Sequence, residues 1–257
     1  MKGNWSIVPN FDRLEESLLL SKEYDTAFEY DDFCDYPLYS DDEAIKRRID
    51  AYLSLDRNRG RDTVHGVFKD ICFAATDPVI REYSRKLGQK SMMIAKELGC
   101  KGVVFHTLFI PNLLKTAAYR EMVTDSFSGY VSSLAAEFPD LEIYVENTFE
   151  TTPDVILGIM DRTSSFSNIK VCLDYAHAAI SGTAPEEWIE KLAPYIGHMH
   201  LNDNDLKADL HQPVGDGSVD YRKFKELVLE KKTDTTMLIE MASIENARKS
   251  LKYLSNL

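Results

Sequence analysis

Cysteine is scarce. Only Cys34, Cys72, Cys100 and Cys172 occur in 257 residues, and no two form a Cys-x-x-Cys pair. That scatter argues against a disulfide framework and fits reduced thiols in a cytoplasmic protein. Long apolar runs are also missing, and no segment approaches the roughly 20 residues a membrane-spanning helix needs. The first residues, MKGNWSIVPNFDRLEESLLL, acquire acids early and lack the apolar stretch of a secretory signal, so no leader is expected. Positive charge is in deficit, with 30 Lys and Arg against 42 Asp and Glu, a net charge of -12. Such a balance disfavours a broad electrostatic footprint for nucleic acid or an anionic membrane. No Gly-rich loop follows the first strand-like run, which disfavours a doubly wound dinucleotide-binding sheet. No low-complexity linker divides the chain.

What is present is alternation. Strand-like runs occur at Trp5–Val8, near Thr26–Glu29, near Asp62–Gly66, at Gly102–His106, Leu141–Glu146, Ile169–Asp174, Tyr195–Leu201 and Met237–Glu240. Between them lie helical stretches: Asp12–Lys22, Asp41–Leu55, Pro78–Leu98 stopped by Gly99, a long one reaching Phe138, one from Tyr221, and a terminal helix. The fractions of 44% hydrophobic and 28% charged residues are globular values, sufficient for a large core. Eight βα units in order predict an α/β fold, a single (β/α)₈ barrel domain over residues 1–257.

In such barrels the chemistry sits at the C-terminal ends of the strands. Here those ends read His65, His106, Glu146, Asp174 with His177, His200 and Glu240. Asp209 and His211 follow in the loop after the seventh strand. Imidazole and carboxylate without thiolate make the ligand set of a Zn, Mn, Fe or Co site. His198 shares a face with His200 but lies deeper, as a structural histidine behind the ligands. Alternation turns Glu142, Tyr144 and Glu146 inward. Glu146 is then a ligand, whereas Glu142 needs a partner if buried.

These residues carry a resemblance. The segments His65-Gly-Val-Phe, Val104-Phe-His106, Val145-Glu146-Asn147, Leu173-Asp174-Tyr-Ala-His177, His200-Leu-Asn-Asp203, Asp209-Leu-His211 and Leu238-Ile-Glu240 resemble the xylose isomerase-like TIM barrels. That superfamily includes sugar isomerases and epimerases and endonuclease IV (AP endonuclease family 2). The resemblance implies a divalent metal held by Glu146, Asp174, His200 and Glu240, with Glu146 and Glu240 as acid and base on the sugar. Against endonuclease IV it implies three metals: His65, His106 and bridging Glu146; Glu146, Asp174, His200 and Glu240; and His177, Asp209 and His211. One to three Zn²⁺ or Mn²⁺ ions per chain are therefore expected.

The departures bear on the substrate. The loop after the second strand, Glu29-Tyr-Asp-Asp-Phe-Cys-Asp-Tyr-Pro, is acidic and would repel phosphate. Phe68 sits where endonuclease IV has an aromatic, but Lys69 follows it. The expectation is a metal-dependent sugar or sugar phosphate isomerase or epimerase. The alternative is an abasic-site endonuclease-like hydrolase, with a non-catalytic binding protein as a third class. The expected partner is a small carbohydrate. Nucleic acid is disfavoured by the rim, no membrane is expected, and the oligomeric state is left open.

Overall fold

The computed structural model describes residues 4–231 and 235–257. The opening residues of the leaderless N-terminus expected from the sequence, 1–3, lie outside it. The strands are β1 (Asn4–Ile7), β2 (Ala27–Tyr30), β3 (Thr63–His65), β4 (Gly102–His106), β5 (Glu142–Glu146), β6 (Ile169–Asp174), β7 (Ile196–Leu201) and β8 (Thr236–Ile239). They close in sequence order into a parallel barrel, with β8 beside β1. The helices are α1 (Leu14–Tyr24), α2 (Asp42–Leu53), α3 (Pro78–Leu98), α4 (Ala117–Glu137), α5 (Asp154–Arg162), α6 (Tyr175–Ile180), α7 (Pro185–Leu192), α8 (Tyr221–Lys231) and α9 (Ile244–Asn256). Among the described residues no helix is long and apolar enough to cross a membrane.

The ends of these elements follow from local chemistry. Asp41 caps α2 by accepting the Ala44 N–H at 2.9 Å, and Asp77 caps α3 through Val79 at 2.7 Å, just before Pro78. Gly99 ends α3 in the left-handed region, at φ 72°, where a residue without Cβ carries no penalty. Asp174 ends β6, and its side chain accepts the His177 N–H at 2.6 Å, capping α6. The last residue of a strand thus starts the next helix and fixes His177 relative to itself.

The chain forms two compact units. One comprises Met1–Glu29, Asn147–Pro153 and Val171–Leu257. Its core holds the fully buried Trp188, with Tyr175 packed on Phe224 at 4.7 Å between ring centroids. Removing such a tryptophan side chain costs about 3–5 kcal/mol. Register sets Asp174 opposite His200 and Leu201 opposite Ile239.

The other unit comprises Tyr30–Glu146 and Asp154–Lys170. There Phe73 stacks on Tyr130 at 3.9 Å, Tyr30 packs on Tyr52 at 4.5 Å, and His106 lies opposite Glu146. The partner that Glu142 requires is present. Its carboxylate lies 2.7 Å from Lys170 Nζ and 3.4 Å from Lys101 Nζ, and accepts the Tyr144 hydroxyl at 2.5 Å.

Candidate metal centre

Three of the expected ligands converge in the unit containing β3, β4 and β5. His65, His106 and Glu146 each end their strand. His65 Nδ1 lies 3.0 Å from the Gly66 carbonyl, which can only accept, so Nδ1 carries a proton and Nε2 is the nitrogen left to face a metal. His65 Nε2 is 3.0 Å from His106 Nε2. Glu146 Oε2 is 3.1 Å from His106 Nε2 and 3.7 Å from His65 Nε2. Bonds of about 2.0–2.1 Å to a tetrahedral zinc ion set neighbouring donors about 3.3 Å apart, so the spacing and donor chemistry fit a metal. Burial alone would push His65 down, but Cys34 and Glu146 override it and hold the ring well above its usual range. Phe68 covers the pair, 4.5 Å from the His106 ring and 5.2 Å from the His65 ring.

The other unit gathers the remaining six. His177 Nδ1 donates to the Asn147 carbonyl at 2.8 Å, leaving Nε2 to face Asp209 Oδ2 at 3.3 Å. The same oxygen lies 3.2 Å from His211 Nε2. These three donors again have the spacing of metal ligands. Burial would raise the Asp209 carboxyl, but His177 and His211 hold it far below its usual range. Asp209 in turn lifts His211 to about 9, with burial opposing. His211 occupies the left-handed region at φ 46°, an uncommon backbone state for a residue with Cβ.

Asp174, His200 and Glu240 meet around an amide. Asn202 Nδ2 donates to Asp174 Oδ2 at 3.2 Å and to Glu240 Oε2 at 3.1 Å. His200 Nδ1 lies 3.8 Å from that same Glu240 oxygen. Asn147 grips Asp174 from behind, accepting its N–H at 2.9 Å and donating to its carbonyl at 3.1 Å. The loop bearing Asp209 and His211 is tied by Asp203. Its carboxylate accepts the backbone N–H groups of Asn204, Gly215 and Val219 at 2.9–3.0 Å. Its backbone exchanges two 2.8 Å bonds with Gln212. A Cβ on Gly217 would lie 2.3 Å from Asp203 Oδ1, so this close approach requires glycine.

The model of the family described as xylose isomerase-like TIM barrel matches residues 23–257. The chain belongs to the xylose isomerase-like TIM barrel family. An uncharacterized protein of Methanocaldococcus jannaschii, MJ1311, is 28% identical over 255 residues, covering 94% of this chain and 85% of its own. Among solved structures, a D-tagatose 3-epimerase-like protein superposes with a TM-score of 0.78 at 23% identity, covering 98% of this chain and 96% of that one. The TTHB071 protein of Thermus thermophilus, from a crystal soaked with ZnCl₂, superposes at 0.71 with 22% identity, covering 98% and 97%.

On this xylose isomerase-like barrel the structure adds residues that the strand-end pattern does not reveal. Asn147 and Asn202 orient Asp174 and Glu240. Their signal is adjacency: Asn147 follows Glu146, and Asn202 shares the face of His200. Glu29 is fully buried in β2. Its Oε2 is 3.0 Å from His198 Nε2 and its Oε1 2.9 Å from His200 Nε2. Burial would raise this carboxyl, but the imidazoles of His200 and His198 hold it well below its usual range. His198 is fully buried beside His200, with Nδ1 2.5 Å from Thr236 Oγ1.

Glu29 also corrects the reading of the acidic loop. It is an interior strand residue rather than a rim charge, because β alternation turns it inward. Asp32 pairs with Arg48 at 2.5 Å and accepts the Tyr52 hydroxyl at 2.8 Å, and Asp35 pairs with Lys69. Much of the segment's negative charge is therefore met by partners, and its repulsion of phosphate is weaker than composition suggests.

Proposed function

We propose that this family member is a divalent-metal-dependent enzyme that isomerises or epimerises a small sugar or sugar phosphate. The observation that carries the metal dependence is the donor geometry. Imidazole and carboxylate groups converge at metal-ligand spacing, and the second nitrogens of His65 and His177 donate to carbonyls. Such donors suit Zn²⁺ or Mn²⁺. Glu146, Asp174, His200 and Glu240 would hold the catalytic ion, following the family resemblance. When bound, the ion would polarise a substrate carbonyl or hydroxyl. Glu146 and Glu240 would take a proton from one sugar carbon and return it to another or to the opposite face. Asn202 would keep the Glu240 carboxylate aimed, since its Nδ2 group can only donate to that oxygen. The likeness to a D-tagatose 3-epimerase-like protein supports a carbohydrate substrate.

One cluster favours a second reading. His177, Asp209 and His211 form a further ligand set, as in the trinuclear centre that the resemblance to endonuclease IV implies. With it the chain would be a phosphoester hydrolase acting at abasic sites.

One pair of assays separates the readings. Metal-replete protein is incubated with ketoses and ketose phosphates in D₂O, and separately with a duplex containing one abasic site. The proposal expects metal-dependent deuterium incorporation into sugar carbon positions, lost in Glu146→Gln and Glu240→Gln, and no nicking. Nicking without deuterium incorporation overturns it in favour of the hydrolase. Neither activity, with metal confirmed bound, overturns both and leaves a binding protein.

A further inference from the structure

Glu29 lies outside the proposed ligand set, yet it is fully buried against two histidines. A carboxylate taken out of water needs partners that satisfy its oxygens. An ionised carboxylate only accepts hydrogen bonds. With Oε1 at 2.9 Å from His200 Nε2 and Oε2 at 3.0 Å from His198 Nε2, both imidazoles must present N–H from Nε2. In its neutral form each ring then keeps its lone pair on Nδ1. For His198 that lone pair meets the Thr236 hydroxyl, which donates to it at 2.5 Å. For His200 it points to the side where Glu240 Oε2 lies 3.8 Å away and where Asn202 gathers Asp174 and Glu240. The opposite tautomer of His200 would set a proton on the ligand side and a lone pair against the carboxylate.

We propose that Glu29 is a positioning residue that fixes the tautomer and ring orientation of His200, so that Nδ1 is the metal donor, while His198 and Thr236 hold Glu29 in place. This inference rests on the metal reading above. A carboxylate behind a metal-bound imidazole orients the ring and raises its basicity, and losing it typically weakens metal binding 10–100-fold. Glu29 belongs to β2 and His200 to β7, so the ligand's tautomer is set from a strand that supplies none of the proposed ligands.

Two measurements test the proposal. Long-range ¹H–¹⁵N spectra of the ¹⁵N-labelled, metal-free full chain report each ring tautomer, with His200 assigned by its loss in His200→Gln. The expected result is His200 protonated on Nε2, and protonation on Nδ1 overturns the proposal. Co²⁺ affinity, measured by competition with a chromophoric chelator, should fall about 10–100-fold in Glu29→Gln with an altered Co²⁺ visible spectrum. Affinity within twofold of wild type and an unchanged spectrum overturn it. If Glu29→Gln does not fold, the wild-type tautomer decides alone. Wild-type protein that binds no ion overturns the metal reading instead, an outcome distinct from wild type and variant binding equally.

Discussion

Replacing Asn202 with Asp changes one NH₂ into an oxygen at nearly constant volume. It inverts the chemistry where the donor sits 3.2 Å from Asp174 Oδ2 and 3.1 Å from Glu240 Oε2. Two carboxylates at that spacing repel by about 5 kcal/mol at an effective dielectric of about 20. Facing two such contacts, the metal-free cluster takes up a proton, which for an ordinary carboxyl costs about 4 kcal/mol at pH 7 and about 1.5 kcal/mol at pH 5. The hydrogen bond lost to the second carboxylate adds about 2 kcal/mol at either pH. At roughly 2–4 °C per kcal/mol for a chain of this size, the chelated variant should melt about 12–24 °C below wild type at pH 7 and about 7–14 °C below at pH 5. Saturating Mn²⁺ should close much of the gap, because a cation compensates the added charge. Thermal melts followed by circular dichroism, with EDTA and with MnCl₂, read all three quantities. A loss under 3 °C, or one of equal size at both pH values, would refute the reasoning.

Other expectations follow from the same geometry. His211→Ala should abolish any phosphoester hydrolysis but lower sugar turnover by less than about tenfold, read by parallel kinetics, because it lies outside the four ligands assigned to the sugar reaction. In metal-free protein, His211, raised from 6.5 to about 9, adds stability that is full below pH 6.5 and lost as pH rises through about 9. Asp209, lowered from 3.8 by His177 and His211 against the effect of burial, adds stability above pH 3.8 that is lost only at still lower pH. The melting difference between wild type and His211→Ala should therefore be level between about pH 4 and 6.5 and vanish above 9. His106→Ala removes one of three converging donors, and elemental analysis after dialysis should show about one fewer ion per chain than wild type. Asp203→Ala strips the acceptor from three backbone N–H groups, costing about 3–5 kcal/mol; hydrogen exchange should quicken at Asn204, Gly215 and Val219.

The barrel was legible because each strand carries its own signal, a short apolar or β-branched run ending in a polar residue. β4 and β6 fall on the expected bounds, and the remaining strands differ by one residue at one or both ends. The helices between β5 and β7 were less visible for a physical reason. α6 spans Tyr175–Ile180 and is capped by Asp174 itself, so no turn residue separates it from the strand. α5 and α7 are also short, with few turns over which a period could repeat. At the site, ligand-type residues at strand ends were readable one by one. Glu29 was not, because Asp31, Asp32 and Asp35 make its surroundings look like a solvated loop and its partner His198 lies 169 residues away in sequence. An acid among apolar strand residues is conspicuous at Glu240, and Glu29 between Phe28 and Tyr30 fits the same description. The sequence does not mark Asn202, because an amide is not among the metal-ligand types, although it aims two residues that are.

The fastening of the loop at Asp203 has an evolutionary and engineering meaning. Residues 205–211 are exposed and hang between the buried Asn204 and Gln212, inside a small ring that the mutual bonds of Asp203 and Gln212 close. β7 enters that ring on one side, and the Asp203 carboxylate secures the chain leading to α8 on the other. The segment is therefore a cartridge. Its ends are clamped independently of its contents, so its length and sequence can be rewritten while the barrel stays as it is. Asp209 and His211 travel inside it, so two of the three donors of the third set can be transplanted onto a related barrel that already carries a histidine at the place of His177, or deleted from this one, as a single insertion or excision.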